Sequence, residues 1–171
     1  MTTIILPGYS PSNKDWAEEA ARQLTANGLP ATVHYWEHWT AGSFSPKKEI
    51  AKILQEVGEG KINILAKSVG TGIASDIIAK IKNQIEKIIL CGVPQINKER
   101  YQNFANFPGE NIICFQNTKD PWAKYEEVRD FLAAINSKIK VISKEAPDHN
   151  YPYYKDFKQF LDQNKTVHKP V

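Results

Sequence analysis

Six short apolar runs, most of them rich in β-branched residues, recur along the whole chain: TTIIL (2–6), ATVHYW (31–36), INILA (62–66), KIILC (87–91), NIICF (111–115) and IKVIS (139–143). Most are continuous rather than alternating, as expected of strands buried on both faces of a parallel sheet. Helical stripes lie between and after them: Trp16, Ala20 and Leu24; Ile73, Ile77, Ile78 and Ile81; Val128, Phe131, Leu132 and Ile135; Tyr154, Phe157, Phe160 and Leu161. Ser12 and Asp15 predict a capping box at the start of the first helix, and Asn27-Gly28 its stop. Strand–helix alternation carried to the end of the chain implies a three-layer α/β/α sandwich with right-handed crossovers. Ligands of such folds bind beyond the carboxyl ends of the strands, so chemistry is sought there.

With 171 residues, 42% hydrophobic and 24% charged, the chain suits one soluble domain with a sizeable core. The net charge of +3 is spread over scattered lysines, which argues against a nucleic-acid or membrane partner. The first residues read as a strand rather than a signal peptide, and no run nears the roughly 20 apolar residues of a membrane span. A cytoplasmic protein is expected, and its two cysteines, Cys91 and Cys114, read as small hydrophobes in strands rather than a disulfide.

Three strand ends carry candidate chemistry. After the third run comes Ala66-Lys67-Ser68-Val69-Gly70, close to the G-x-S-x-G nucleophile elbow, in which small residues flank the serine because strand and helix approach closely. Taken alone, Ser68 could equally cap a helix. After the fifth run, Asp120 precedes Pro121, which fits the first position of a helix; alone, this acid reads as a cap. After the sixth, His149 sits in KEAPDHNYP, where a lone loop histidine is more often a surface residue than a base. Taken together, the order Ser68, Asp120, His149 is that of the α/β-hydrolase triad, each residue following a strand. Asp120 would orient His149, His149 would take the proton of Ser68, and Ser68 would attack an acyl carbonyl. The oxyanion would be held by the backbone N–H of Val69 and by one from the LPGYS loop, with Tyr9 favoured because Pro7 has no N–H. No metal or organic cofactor is required.

Rival readings are weaker. GTGIAS has Ser75 where a dinucleotide fingerprint has its third glycine or alanine, and the next strand ends in Leu90-Cys91-Gly92 rather than near an acid for the ribose. His34, Glu37 and His38 in HYWEHW find no further ligand to complete a metal set, so this stretch is expected to supply aromatics at the pocket mouth. Tyr9, Trp36, Trp39, Trp122 and Tyr151 are the candidate walls. Lys67 could raise the local potential and favour anionic substrates, but the expected reading is that it snorkels to solvent.

With these motifs placed, the chain resembles the small α/β-hydrolases related to YdeN and retinoblastoma-binding protein nine. The resemblance rests on LPGYS, the tryptophan of KDWAEEAARQL, AKSVGTG, TKDP and DHNY, and departs from the family at Ala66. It implies a minimal α/β-hydrolase fold over residues 1–164, with a frayed tail at 165–171. It also implies a six-stranded sheet of order 2-1-3-4-5-6, no lid domain, and the triad Ser68, Asp120 and His149. The segment 92–110, at the usual lid position, has room only for a short helix. The expected function is a serine hydrolase acting on a small ester or an acylated or peptide substrate, seen as short-chain carboxylesterase activity. The alternative is a non-catalytic binding module on the same scaffold.

Overall fold

A computed structural model describes residues 1–163. The tail expected to fray, and His168 within it, lie outside the described residues. The strands are β1 (Thr2–Leu6), β2 (Ala31–Val33), β3 (Ile62–Lys67), β4 (Ile85–Cys91), β5 (Ile112–Asn117) and β6 (Lys140–Lys144). The helices are α1 (Asn13–Ala26), α2 (Pro46–Val57), α3 (Val69–Ile81), the single turn α4 (Lys98–Tyr101), α5 (Tyr125–Ile135) and α6 (Tyr154–Asp162). All six strands pair in parallel in the order β2-β1-β3-β4-β5-β6. No helix among the described residues is long and apolar enough to cross a membrane.

The strand period of two divides the apolar runs between two cores. Ile5, Leu65, Ile89 and Phe115 pack against Trp16, Ala20 and Leu24 of α1 and Phe157 and Phe160 of α6. Ile4, Leu6, Ile64, Ile88 and Leu90 pack on the opposite face against Ile53 of α2, Ile73 and Ile77 of α3, and Val128 and Leu132 of α5. Burial on both faces is why these runs are continuous. Cys91 and Cys114 are buried, unbridged, and face opposite cores. Lys87 is buried but serves α6, its Nζ donating to the carbonyl of Phe160 at 2.6 Å, where a cation complements a helix carboxyl end.

Local details depart from expectation. Ser12 already has helical φ and ψ (−61° and −17°), so its hydroxyl caps nothing and instead meets Ser10 Oγ at 3.0 Å; the capping box with Asp15 does not form. The helix does stop at Asn27-Gly28, with Gly28 at φ +76°. Only Ala31–Val33 of the second run is strand, because His34 to Trp39 turn away over the end of β1. The helix after Asp120 starts at Tyr125, four residues beyond the expected Pro121, with Glu127 returning a side-chain bond to the N–H of Lys124.

The chain turns one way from β1 to β2 and the other way to β3. This reversal opens a crevice at the carboxyl ends of β1 and β3, where Leu6 and Ala66 are register partners. The loop after β1 and the turn after β3 therefore meet across it.

Candidate active site

Ser68 stands on a strained backbone. Its φ of +53° and ψ of −119° make it the only non-glycine residue at positive φ among the described residues. Such a conformation costs on the order of 1–3 kcal/mol and persists only where its surroundings impose it. Here they do: Ser68 N–H donates to Cys91 C=O at 2.9 Å, and Thr71 returns both N–H and hydroxyl to Ser68 C=O. The side chain of Ser68 makes no capping bond to α3, so the capping reading fails. Gly70 shows why the turn needs small residues: a Cβ there would lie 2.3 Å from Leu6 C=O. Ala66, in place of the first elbow glycine, is fully buried.

Asp120 and His149 are joined directly, Nδ1–H of the imidazole donating to Oδ2 of the carboxylate at 2.6 Å. Oδ2 also accepts from Tyr151 Oη at 2.6 Å, and Oδ1 accepts from the N–H of Trp122 at 2.9 Å. Burial pushes the Asp120 carboxyl up, but the bonds from His149, Tyr151 and Trp122 prevail and hold it below its ordinary value. The Tyr151 phenol is driven in the other direction, well above its usual value, by burial and by donation to Asp120. His149 Nε2 is enclosed and has no hydrogen-bond partner.

Two residues that the sequence did not single out hold this arrangement. Asn117, at the end of β5, donates Nδ2 to the carbonyls of Asp148 and Asn150 at 2.9 and 2.8 Å, gripping the loop on both sides of His149. Its N–H reaches Tyr151 Oη at 3.1 Å. Gly92, after β4, takes φ +65°, and a Cβ there would lie 2.5 Å from the Tyr151 ring and 2.8 Å from His149 Cε1. A strand-end asparagine and a post-strand glycine are the signals that could have flagged them.

The HYWEHW stretch has a different role from the one expected. Trp36 is buried in the core, its Nε1–H shared between the carbonyls of Pro7 and Gly8 at 3.1 and 3.0 Å. Trp39 Nε1–H and His38 Nε2–H both donate to Tyr9 C=O, at 2.8 and 2.7 Å. Three successive carbonyls of the loop after β1 are thus turned toward this aromatic segment. In a trans peptide the N–H points opposite the carbonyl, so the N–H of Tyr9 is turned away from Trp36. The N–H of Val69 stands in the first turn of α3, where no intrahelical acceptor exists. His34 diverges from His38: its ring nitrogens meet Glu56 at 2.8 Å and Glu49 at 2.7 Å.

A cavity of about 450 Å³ opens here, lined by Ser68, Val69, His149, Tyr9 and Trp122 among others. Of the expected aromatic walls, Tyr9 and Trp122 line it, and Trp36, Trp39 and Tyr151 do not. Lys67 does not snorkel. It is 6% exposed, its Nζ donates to Asn13 Oδ1 at 2.7 Å, and it lies 5.4 Å from the centre of the Trp16 ring. Desolvation lowers its pKa below the ordinary lysine value.

No protein-family model and no curated protein matches the sequence. Solved structures match its fold. The ydeN gene product of B. subtilis aligns over 95% of this chain and 98% of its own at 13% identity, with a TM-score of 0.68. A Xanthomonas campestris protein, XC6422, described as an α/β serine hydrolase without a lid, aligns over 94% and 78% at 15% identity and TM-score 0.67. The Pyrococcus furiosus esterase Pf2001 aligns over 95% and 82% at 17% identity and TM-score 0.70. The lid position holds only α4 and two short 3₁₀ segments, in keeping with the lidless description of the X. campestris protein. The chain has the α/β-hydrolase fold in a minimal, lidless form.

Proposed function

We propose that this protein is a serine hydrolase that cleaves ester, thioester or amide bonds through an acyl-enzyme, assayed most readily as a short-chain carboxylesterase. The observation that carries the reading is the backbone of Ser68, held at positive φ with its hydroxyl in no capping bond. Strain of this kind at a residue lining a cavity fits a nucleophile. The paired His149 and Asp120 and the hydrolase neighbours support the same reading.

In this mechanism Ser68 Oγ attacks the acyl carbon while its proton passes to His149 Nε2. Asp120 stabilises the imidazolium through Nδ1–H. The N–H groups of Val69 and Tyr9 receive the developing oxyanion. Collapse of the tetrahedral intermediate expels the alkoxide, thiolate or amine, which takes the proton back from His149. Water, deprotonated by the same histidine, then releases the acid. The substrate is a small ester, or an acyl group carried on a larger partner that the lidless site admits.

Covalent labelling with a fluorophosphonate, read by intact mass and peptide mapping, tests this. The expected result is one adduct on Ser68, absent in Ser68→Ala and slowed in His149→Ala. A folded protein that takes no adduct and cleaves no activated ester would instead be a binding module on a hydrolase scaffold.

A further inference from the structure

Gly72 lies in the interior of α3, where glycine is unfavourable by about 1 kcal/mol relative to alanine. Its neighbour explains it. A Cβ at position 72 would lie 2.5 Å from Arg100 Nε and 3.0 Å from its Cζ and Nη2, so the guanidinium rests on the bare backbone of the helix. Arg100 reaches across from α4, and its Nη1 is fixed by Asp76 of α3. Gly72 stands one turn beyond Ser68, which precedes α3, so the guanidinium packs about one helical turn along α3 from the nucleophile.

The charge around it is one-sided. Arg100 and Gly72 line the same cavity as Ser68, and among the described residues no aspartate or glutamate lines it. Asp76, the counter-ion, opens instead on a separate groove between α2 and α3. Nη1 is held by Asp76, whereas Nε and Nη2 lie against Gly72, which lines the cavity with Arg100. Arginine offers five N–H donors in a planar fork that suits carboxylates and phosphates.

From this we infer that Arg100 is the specificity-determining residue of the site and selects substrates carrying an anionic group about one helical turn from the scissile carbonyl. A half-ester of a short dicarboxylic acid has this shape on the acyl side, and an acyloxybenzoate has it on the leaving-group side. The inference rests on the hydrolase reading for its catalytic form. The anion site itself stands on the Arg100–Gly72 geometry.

The test compares kcat/KM for 4-nitrophenyl hydrogen glutarate against 4-nitrophenyl butyrate, and for 4-butyryloxybenzoate against phenyl butyrate. The charged-over-neutral ratio should fall about 10- to 100-fold in Arg100→Met for whichever pair carries its charge on the side Arg100 serves. It should rise in Asp76→Asn, which frees the cation; a merely structural role for the ion pair would not produce that opposite sign. Should Arg100→Met fail to fold, Gly72→Ala displaces the guanidinium and should lower the same ratio. Ratios unmoved by all three variants in both pairs overturn the inference. In parallel, Ser68→Ala is titrated with glutarate by calorimetry, with and without Arg100→Met. Arg100-dependent binding, together with no ester cleavage by the protein with Ser68 intact, would sink the hydrolase reading and leave the anion site standing. No binding and no altered ratio would sink the anion site alone.

Discussion

Lys67 Nζ donates to Asn13 Oδ1 at 2.7 Å, and through this bond the residue before Ser68 is tied to the loop after β1. Asn13 in turn donates Nδ2 to Ser10 C=O at 3.0 Å and packs against Gly8, where a Cβ would lie 2.6 Å from its Oδ1. The elbow and the loop that faces it are therefore one bonded unit, made possible because β1 and β3 are sheet neighbours.

A buried ammonium has a pH signature. Desolvation lowers the folded pKa of Lys67 below its ordinary value of 10.5. Between the two values the unfolded chain holds more protons, so Lys67 makes stability rise with pH across that window; below it, the desolvation penalty is fully present. Lys67→Met removes the penalty, and its stability at pH 7 should be no lower than wild type by more than about 1 kcal/mol. Urea unfolding of both proteins from pH 7 to 10.5 should show wild type gaining on the variant as pH rises. Tyr101, whose phenol burial pushes up to about 12, makes stability fall above pH 10 in both and cancels in the difference. A flat difference would disprove the assignment.

Asp120 gives the opposite signature at acid pH. Its folded pKa lies below 3.8, so its contribution is present above that value and lost as pH falls through the folded one. Tyr151→Phe removes one bond to the carboxylate and leaves the buried N–H of Asn117 without its acceptor, at a cost of about 1–3 kcal/mol. Acid unfolding of this variant should begin at higher pH than in wild type. Asp120→Asn should keep the fold yet lower turnover by roughly 10⁴, as loss of the orienting carboxylate does in serine proteases. Near-full activity in Asp120→Asn would remove the acid from the mechanism.

The loop carbonyls allow a kinetic test of the oxyanion assignment. Trp39→Phe deletes one of two donors to Tyr9 C=O and leaves the ring volume largely in place. If Tyr9 N–H receives the oxyanion, loosening this loop one peptide away weakens an interaction made only in the transition state, so kcat should fall about 10-fold or more with KM little changed. A rise in KM with unaltered kcat would mean that this segment serves substrate binding instead.

The sheet was legible because its strands are buried on both faces, which writes each as a continuous run. Ser68, Asp120 and His149 drew attention because each follows a strand end; the structure joins Asp120 to His149 and lines one cavity with Ser68 and His149. What could not be read were long-range bonds. Nothing local marks Trp36 and Trp39 as donors to a loop about 30 residues earlier, or Asn117 as the grip on a loop more than 30 residues later. Lys67 misled because snorkelling is the usual fate of a strand-end lysine, whereas here Trp16 and Asn13 close over it. Helix α2 was missed despite a plain signal: Ser45 before Pro46, and Ile50, Ile53, Leu54 and Val57 on one stripe.

Both flanking positions of the elbow should lose stability to a single-methyl change, but only Gly70 should lose activity with it. At Gly70 a methyl would lie 2.3 Å from the backbone oxygen of Leu6, and a backbone atom cannot swing aside as a side chain can. Gly70→Ala should lose about 2–3 kcal/mol and, because Leu6 leads into Pro7-Gly8-Tyr9, most of the activity as well. Ala66 already fits within β3, so restoring the usual glycine there should add nothing to turnover. Ala66→Gly should instead lose about 1 kcal/mol from a buried methyl and a freer unfolded chain. Thermal unfolding and kcat for 4-nitrophenyl butyrate on both variants check this. A gain in activity for Ala66→Gly would mean that alanine at this position holds the elbow away from its best geometry.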